Sequence, residues 1–200
     1  FSIGGGSIRI ENESSEEDKE VYPQKNFSEI VALCNQEKIK IIQFIYILEG
    51  YTLREKLRTV WQAMQASIER GLKAKGILPG GLGLTRKAKF LYEKRCYNES
   101  ADVAMNRVIA AYAYAVAEEN AAEKVVVTAP TCGSCGVLPA VMYYMHADRG
   151  FPEEEILDAL AVAGIIGNVI RIKVRHLPVP SILMIISGVM KPLDTPVGVQ

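Results

Sequence analysis

Apolar side chains recur at helical spacing through most of residues 22–170, most strongly in residues 52–73. There Leu53, Leu57, Val60, Trp61, Met64, Ile68 and Leu72 fall on one stripe, the repeat of an amphipathic helix. Arg54, Lys56, Arg58 and Glu69 lie off the stripe and are expected in solvent, and Thr52 with Glu55 has the spacing of a capping box. Upstream, Asn26 and Glu29 have a capping arrangement, followed by Phe27, Ile30, Val31, Leu33 and Cys34 on an apolar side that makes Cys34 a core residue. Residues 39–48 are densely apolar and stop before Gly50. Their pattern suits a buried helix or a strand, and the helical neighbour favours helix. Residues 101–119 are Ala-rich, with Met105, Val108, Ile109 and Tyr112 on one stripe. Tyr112 and Tyr114 are two apart and cannot share a face. Pro152 opens a last helix, with Glu153, Glu154 and Glu155 where the helix dipole favours acids. Its apolar part, residues 156–170, carries Gly164 and Gly167 at a spacing for close packing. The expected fold class is mainly α, a helical bundle-like region.

Two stretches break the helical pattern. The first runs from Val125 through Pro130, Thr131, Cys132, Gly133, Ser134, Cys135 and Gly136 into a helix with Pro139 in its first turn. A Val-rich run followed by a glycine loop and a helix start offers unpaired backbone N–H groups, a seat for an anion such as a carboxylate, or simply a tight turn before a core helix. The second is Gly76-Ile-Leu-Pro-Gly-Gly-Leu-Gly-Leu-Thr-Arg-Lys-Ala88, a glycine-rich turn expected to enter a helix near Thr85. It has neither a P-loop nor a dinucleotide pattern. Arg86 and Lys87 are there either to hold an anion or as exposed charges.

Charge and cysteine content narrow the class. Lys+Arg and Asp+Glu are 23 each, so no basic field exists for nucleic acid or an anionic membrane, and neither partner is expected. The apolar run 181–190 is too short to span a bilayer, there is no secretory pattern, and four cysteines do not make a disulfide scaffold. A reducing cytoplasm is the expected location. Cys132 and Cys135 form a Cys-x-x-Cys pair, open to a dithiol, zinc or iron–sulfur reading. Cys34, Cys96, His146 and His176 are scattered without ligand spacing, and His146 reads as a satisfied helix residue. Residues 11–20 are acidic and read as a linker. Residues 171–200 mix prolines with irregular periodicity and assign to no element.

Val127-Thr-Ala-Pro-Thr-Cys-Gly-Ser-Cys-Gly-Val-Leu-Pro-Ala-Val141 closely resembles the catalytic α region of the bacterial iron–sulfur L-serine dehydratases. Leu78-Pro-Gly-Gly-Leu-Gly-Leu-Thr-Arg-Lys-Ala88, Trp61-x-x-Met64, Arg70-Gly71 and Gly164-Ile-Ile-Gly-Asn-Val-Ile170 resemble further blocks of that family in the same order. Phe1-Ser-Ile-Gly-Gly-Gly6 is similar to the end of its β region. The resemblance implies three segments: residues 1–20 as the end of an upstream β region plus linker, 21–170 as the helical domain, and 171–200 as a divergent tail, for instance from a shifted reading frame.

It also implies β-elimination of water from L-serine to give pyruvate and ammonia, a step of amino-acid degradation feeding gluconeogenesis, with L-cysteine as the alternative substrate of related desulfidases. The family uses a [4Fe–4S] cluster held by three cysteines, whose open iron acts as a Lewis acid on the substrate hydroxyl. No cysteine follows Cys135, so the ligand cysteines are expected to be absent from this chain, and Cys132 and Cys135 do not match ligand positions. Little or no turnover is therefore expected of this chain alone. The substrate-binding candidates are Thr131, Cys132 and Gly133, then Gly80 and Gly81, and no catalytic base is assigned. The implied partners are L-serine, the β region of the same enzyme and a second copy in a homodimer. A non-catalytic helical module that packs on a partner is the competing class.

Overall fold

The computed structural model describes residues 21–24, 26–94, 97–128, 135–175 and 188–189. Their helices are α1 Phe27–Gln36, α2 Ile41–Glu49, α3 Thr52–Lys73, α4 Ala88–Glu93, α5 Ala101–Ala121, α6 Val137–Tyr143 and α7 Glu153–Arg175. Two short strands, β1 Val127–Thr128 and β2 Gly188–Val189, pair antiparallel with Val127 opposite Val189. The mainly α fold expected from the pattern is the fold found.

α3 is the axis of the fold, because its stripe serves two cores in succession. Leu53, Leu57, Val60, Trp61 and Met64 pack with Tyr22, Ile30 and Phe44 from the N-terminal side and with Leu157, Leu160 and Ile165 of α7. One turn further on, Ile68 joins Tyr112, Val116, Val126, Cys135 and Ala140 in a second core. Trp61 is fully buried, with its ring 5.8 Å from that of His146 and 6.5 Å from that of Tyr143. Burying a side chain of this size is worth several kcal/mol, on the order of 3–5 when it is lost to alanine.

Residues 39–48, ambiguous by pattern, are the helix α2, packed on both α1 and α7. The cap at Asn26 forms: its Oδ1 accepts from Glu29 N at 2.9 Å. The capping box at Thr52 does not form. Gly50, at φ +79, turns α2 almost directly into α3, and the backbone itself supplies acceptors to Leu53 N and Arg54 N from Gly50 O and Tyr51 O. Glu55 turns instead to Arg58 Nη1 at 2.6 Å.

Arg54 and Arg58 are not simply solvated. Their stems lie along α3, and their guanidinium groups reach the acidic first turns of α7. Arg58 Nε donates to Glu153 Oε1 at 2.8 Å, and Arg54 Nη2 to Asp158 Oδ1 at 2.7 Å, with Glu154 bridging both arginines. These pairs are partly exposed and screened by solvent, so they add little to stability. α7 runs unbroken through Arg175, past the change of character read at residue 171.

α6 holds Pro139 at its third residue, where a missing N–H leaves no hydrogen bond unmade. It widens into a π turn over Tyr144–Asp148. There Tyr112 OH donates to Asp148 Oδ2 at 2.9 Å, and burial with this carboxylate pushes the Tyr112 hydroxyl pKa well up. His146 Nδ1 lies 2.8 Å from the Phe151 carbonyl oxygen, as expected of a satisfied helix residue.

Candidate functional site

The glycine stretch does not run into a helix at Thr85. It folds back on itself as a hairpin, with Ile77 and Thr85 bridged antiparallel. Leu78 N donates to Leu84 O at 2.8 Å and Arg86 N to Gly76 O at 3.0 Å. The tight path needs Gly80 and Gly83 at φ +115 and +61, in the region that side chains with a Cβ avoid. Gly80 and Gly81, two of the candidate substrate contacts, sit exposed on this turn with open space where a Cβ would be. α4 starts only at Ala88, because the hairpin holds Thr85 against Ile77 and Arg86 N on Gly76 O; Glu118 Oε1 then caps the helix start by accepting from Lys87 N and Ala88 N at 2.5 and 3.2 Å.

Arg86 is neither exposed nor free for an anion. It is 10% exposed, with Nη1 donating to Glu119 Oε1 at 3.2 Å. The other oxygen of Glu119 accepts from Arg70 Nε at 3.1 Å, and Arg70 Nη2 donates to Val125 O at 2.7 Å. Glu118 and Glu119 are both 4% exposed. Two arginines therefore balance two glutamates, as buried charge requires.

This four-residue cluster fastens both unusual stretches to the end of α5. Glu118 and Glu119 hold the exit of the glycine hairpin, while Arg70 holds the strand that leads into the central loop. On the far side of that loop, Gly136 starts α6 against α5 so closely that a Cβ there would lie 2.4 Å from Ala113 O. Gly71 makes the same approach between α3 and Ala115 O, also at 2.4 Å. Thr131, Cys132 and Gly133 themselves lie outside the described residues.

The sequence reading does not single out Glu118 and Glu119, which the structure buries and pairs. A signal existed for one of them. Tyr112, Ala115, Val116 and Glu119 follow at i, i+3, i+4 and i+7, which puts Glu119 on the buried stripe of its helix. Arg70 was noted only through the family resemblance.

Among the described residues no group of three or more His, Cys, Asp and Glu side chains is arranged to hold a metal ion. Cys34 and Cys135 are buried in different cores, and burial pushes the Cys34 thiol up, so it is a packing residue. The described residues thus do not fit a cluster held by three thiolates, and no chemical step is derived through one. Cys96 and Cys132 lie outside them. A larger cavity of about 490 Å³ opens among α1, α2 and α7, lined by Val31, Cys34, Ile42 and Val162. It lies near the Arg54 end of α3, and Arg54 and Arg70 are separated by about 24 Å of helix. It gathers few polar groups.

The serine dehydratase alpha-chain family model matches residues 9–177, which include both glycine stretches and the whole charge cluster. This chain belongs to that family. It is 37% identical over 182 residues to an L-serine dehydratase of Haemophilus influenzae, covering 84% of this chain and 40% of that protein. An L-serine dehydratase of Streptomyces coelicolor is 35% identical over 181 residues, covering 84% and 39%. L-serine dehydratase 1 of Escherichia coli is 35% identical over 187 residues, covering 84% and 40%. This alpha chain spans about two fifths of the length of these relatives, which therefore have a further region. Among its described residues no helix is long and apolar enough to cross a membrane.

Proposed function

We propose that this chain is the α part of an L-serine ammonia-lyase, which removes water from L-serine and releases pyruvate and ammonia. The observation that carries the reading is the family match over residues 9–177, together with relatives named as L-serine dehydratases. In this reaction a base takes the α-proton and the β-hydroxyl leaves with a proton as water. The aminoacrylate tautomerises to an imine, which water hydrolyses to pyruvate and ammonium.

In this reading Thr131, Cys132 and Gly133 of the central loop, with Gly80 and Gly81 of the hairpin, contact the substrate. A loop of backbone N–H groups ahead of α6 suits the L-serine carboxylate. The cluster in the intact enzyme is [4Fe–4S], which would supply a Lewis acid for the departing hydroxyl, with its ligand cysteines absent from this chain. The further region seen in the relatives acts as the β partner, the assembly is a homodimer and the reaction is cytoplasmic. Exposed apolar side chains on the hairpin and α4, among them Leu82, Leu84 and Phe90, support a partner packing nearby.

The test is a chimera in which residues 9–177 replace the matching segment of the Haemophilus influenzae relative. The protein is reconstituted anaerobically with iron and sulfide and assayed for pyruvate from L-serine. Pyruvate formation supports the reading, and a folded, cluster-containing chimera without turnover contradicts it. The 200-residue chain alone is expected to give little or none.

A further inference from the structure

Glu119 is buried near the end of α5, and its two carboxylate oxygens serve two different arginines. Oε1 accepts from Arg86 Nη1 at 3.2 Å, and Oε2 from Arg70 Nε at 3.1 Å. Arg86 belongs to the hairpin, where its backbone N–H donates to Gly76 O at 3.0 Å. Arg70 belongs to α3 and gives its Nη2 to Val125 O at 2.7 Å, two residues before β1. A continuous path of directed hydrogen bonds therefore runs from the hairpin through Arg86, Glu119 and Arg70 to Val125, charge-assisted at both oxygens of Glu119. The helices that carry it are held close. Gly71, next to Arg70, lets α3 approach Ala115 of α5 where a Cβ would collide with backbone, and Glu119 follows Ala115 by one helical turn.

Fastening the hairpin does not by itself account for Glu119. Glu118 already caps the hairpin exit through Lys87 N and Ala88 N. A second buried carboxylate beside it sets two like charges by Arg86 Nη1, at 4.0 and 3.2 Å, and its desolvation is a cost that apolar packing avoids. What Glu119 adds is a link, one side chain shared by the hairpin and the strand. We infer that Glu119 is a positioning residue that couples the glycine hairpin to β1, so that the backbone at Gly80 and Gly81 and the strand hold one relative geometry. The inference deepens the proposed activity and rests on it for what is positioned, the substrate contacts at Gly80 and Gly81. The coupling itself rests on the hydrogen-bond path.

The experiment is amide hydrogen exchange on the full chain, read at Leu78 and Arg86, whose N–H groups make the cross-hairpin bonds, with Met64 of α3 as the reference. Arg70→Ala removes the far end of the path and truncates a side chain that is 44% exposed. It should speed exchange at Leu78 and Arg86 about fivefold or more relative to Met64, the sign of a locally looser hairpin. In Glu119→Gln one oxygen becomes an N–H donor facing an arginine, which cannot accept, so the path is already cut and Arg70→Ala should add less than about twofold. If Arg70→Ala does not fold, Arg70→Lys takes its place, since lysine keeps the charge but cannot serve Glu119 and Val125 from one planar fork. Hairpin exchange unmoved relative to Met64, or an equal increase with and without Glu119, overturns the coupling.

Kinetics of the chimera separate positioning from stability. Glu119→Gln should raise KM for L-serine about tenfold or more with kcat within about threefold, as when contacts made equally in the ground and transition states are lost. Val60→Ala, a truncation in the apolar core, should lower the thermal midpoint and leave KM unchanged. Pyruvate formation with KM unmoved by Glu119→Gln keeps the activity and overturns the positioning role. No pyruvate from the unmutated chimera, with the exchange coupling present, removes the activity and keeps the coupling.

Discussion

Around Trp61, α3 meets its neighbours through aliphatic and aromatic side chains alone; about 14 Å further along, around Arg70, a glycine and a chain of ion pairs join the smaller apolar core at Ile68. The first end packs α1, α2 and α7 into an apolar core whose charges, Arg54 and Arg58, stay at the rim. The second end buries Glu118 and Glu119 and balances them with Arg70 and Arg86. The first arrangement stabilises without directing anything. The second is specific in geometry, because Glu118 Oε1 and both oxygens of Glu119 take directed donors, and the residues so fixed carry two glycine loops. A fold gains little stability from buried ion pairs compared with apolar packing. Their presence at one end only marks that end as built for positioning.

Substitutions that break the contrast differ in size. Trp61→Ala at the apolar end should cost the most, about 4 kcal/mol in urea denaturation, from lost burial plus a cavity. Glu119→Ala should cost about 3 kcal/mol, because Arg86 is left buried without its partner at 3.2 Å. Glu119→Gln should cost less, since one oxygen still accepts. Should Glu119→Ala prove neutral, the charges at this end are not what fastens the hairpin.

Gly71→Ala should lose about 2 kcal/mol in the same measurement. Its helix propensity would favour alanine by about 1 kcal/mol, but the new methyl would meet Ala115 backbone at 2.4 Å. A gain in stability there would contradict the close approach of α3 and α5. Arg58→Ala at the rim should cost less than Gly71→Ala, and 1 M salt should erase most of the difference.

The smallest effect concerns pH. Hydrogen bonds from Arg107 hold the Glu99 carboxyl below its ordinary value of 4.5. The folded state then prefers the ionised form. Its contribution is complete above 4.5 and is lost as pH falls through the depressed value. Glu99→Gln should therefore lower stability at neutral pH and flatten its further loss on acidification, read by thermal melts from pH 7 to 3.

The apolar end was legible in the sequence because packing there follows periodicity. Leu53, Leu57, Val60, Trp61, Met64 and Ile68 are all buried, and α3 has the bounds the stripe gave it. The charged end was much less legible. Glu118 and Glu119 close an alanine-rich helix and look like a solvated terminus, while Arg86 beside three glycines looks like a surface charge. Their burial depends on contacts 31 to 49 residues apart, which no local pattern encodes. The helix start expected near Thr85 moved to Ala88 because Thr85 and Arg86 are kept in the hairpin by Ile77 and by the Gly76 carbonyl. The capping box at Thr52 failed because spacing says nothing of what precedes it, here the turn at Gly50.

The account holds that ligand binding belongs to the charged end and not to the larger apolar cavity at the other. Nitrogen-15 spectra of the labelled chain titrated with L-serine test this directly. The account predicts saturable shifts at Gly80 and Gly81 of the hairpin, with Val31, Cys34 and Ile42 unmoved. Shifts confined to those last three, or none anywhere from a folded chain, would contradict it.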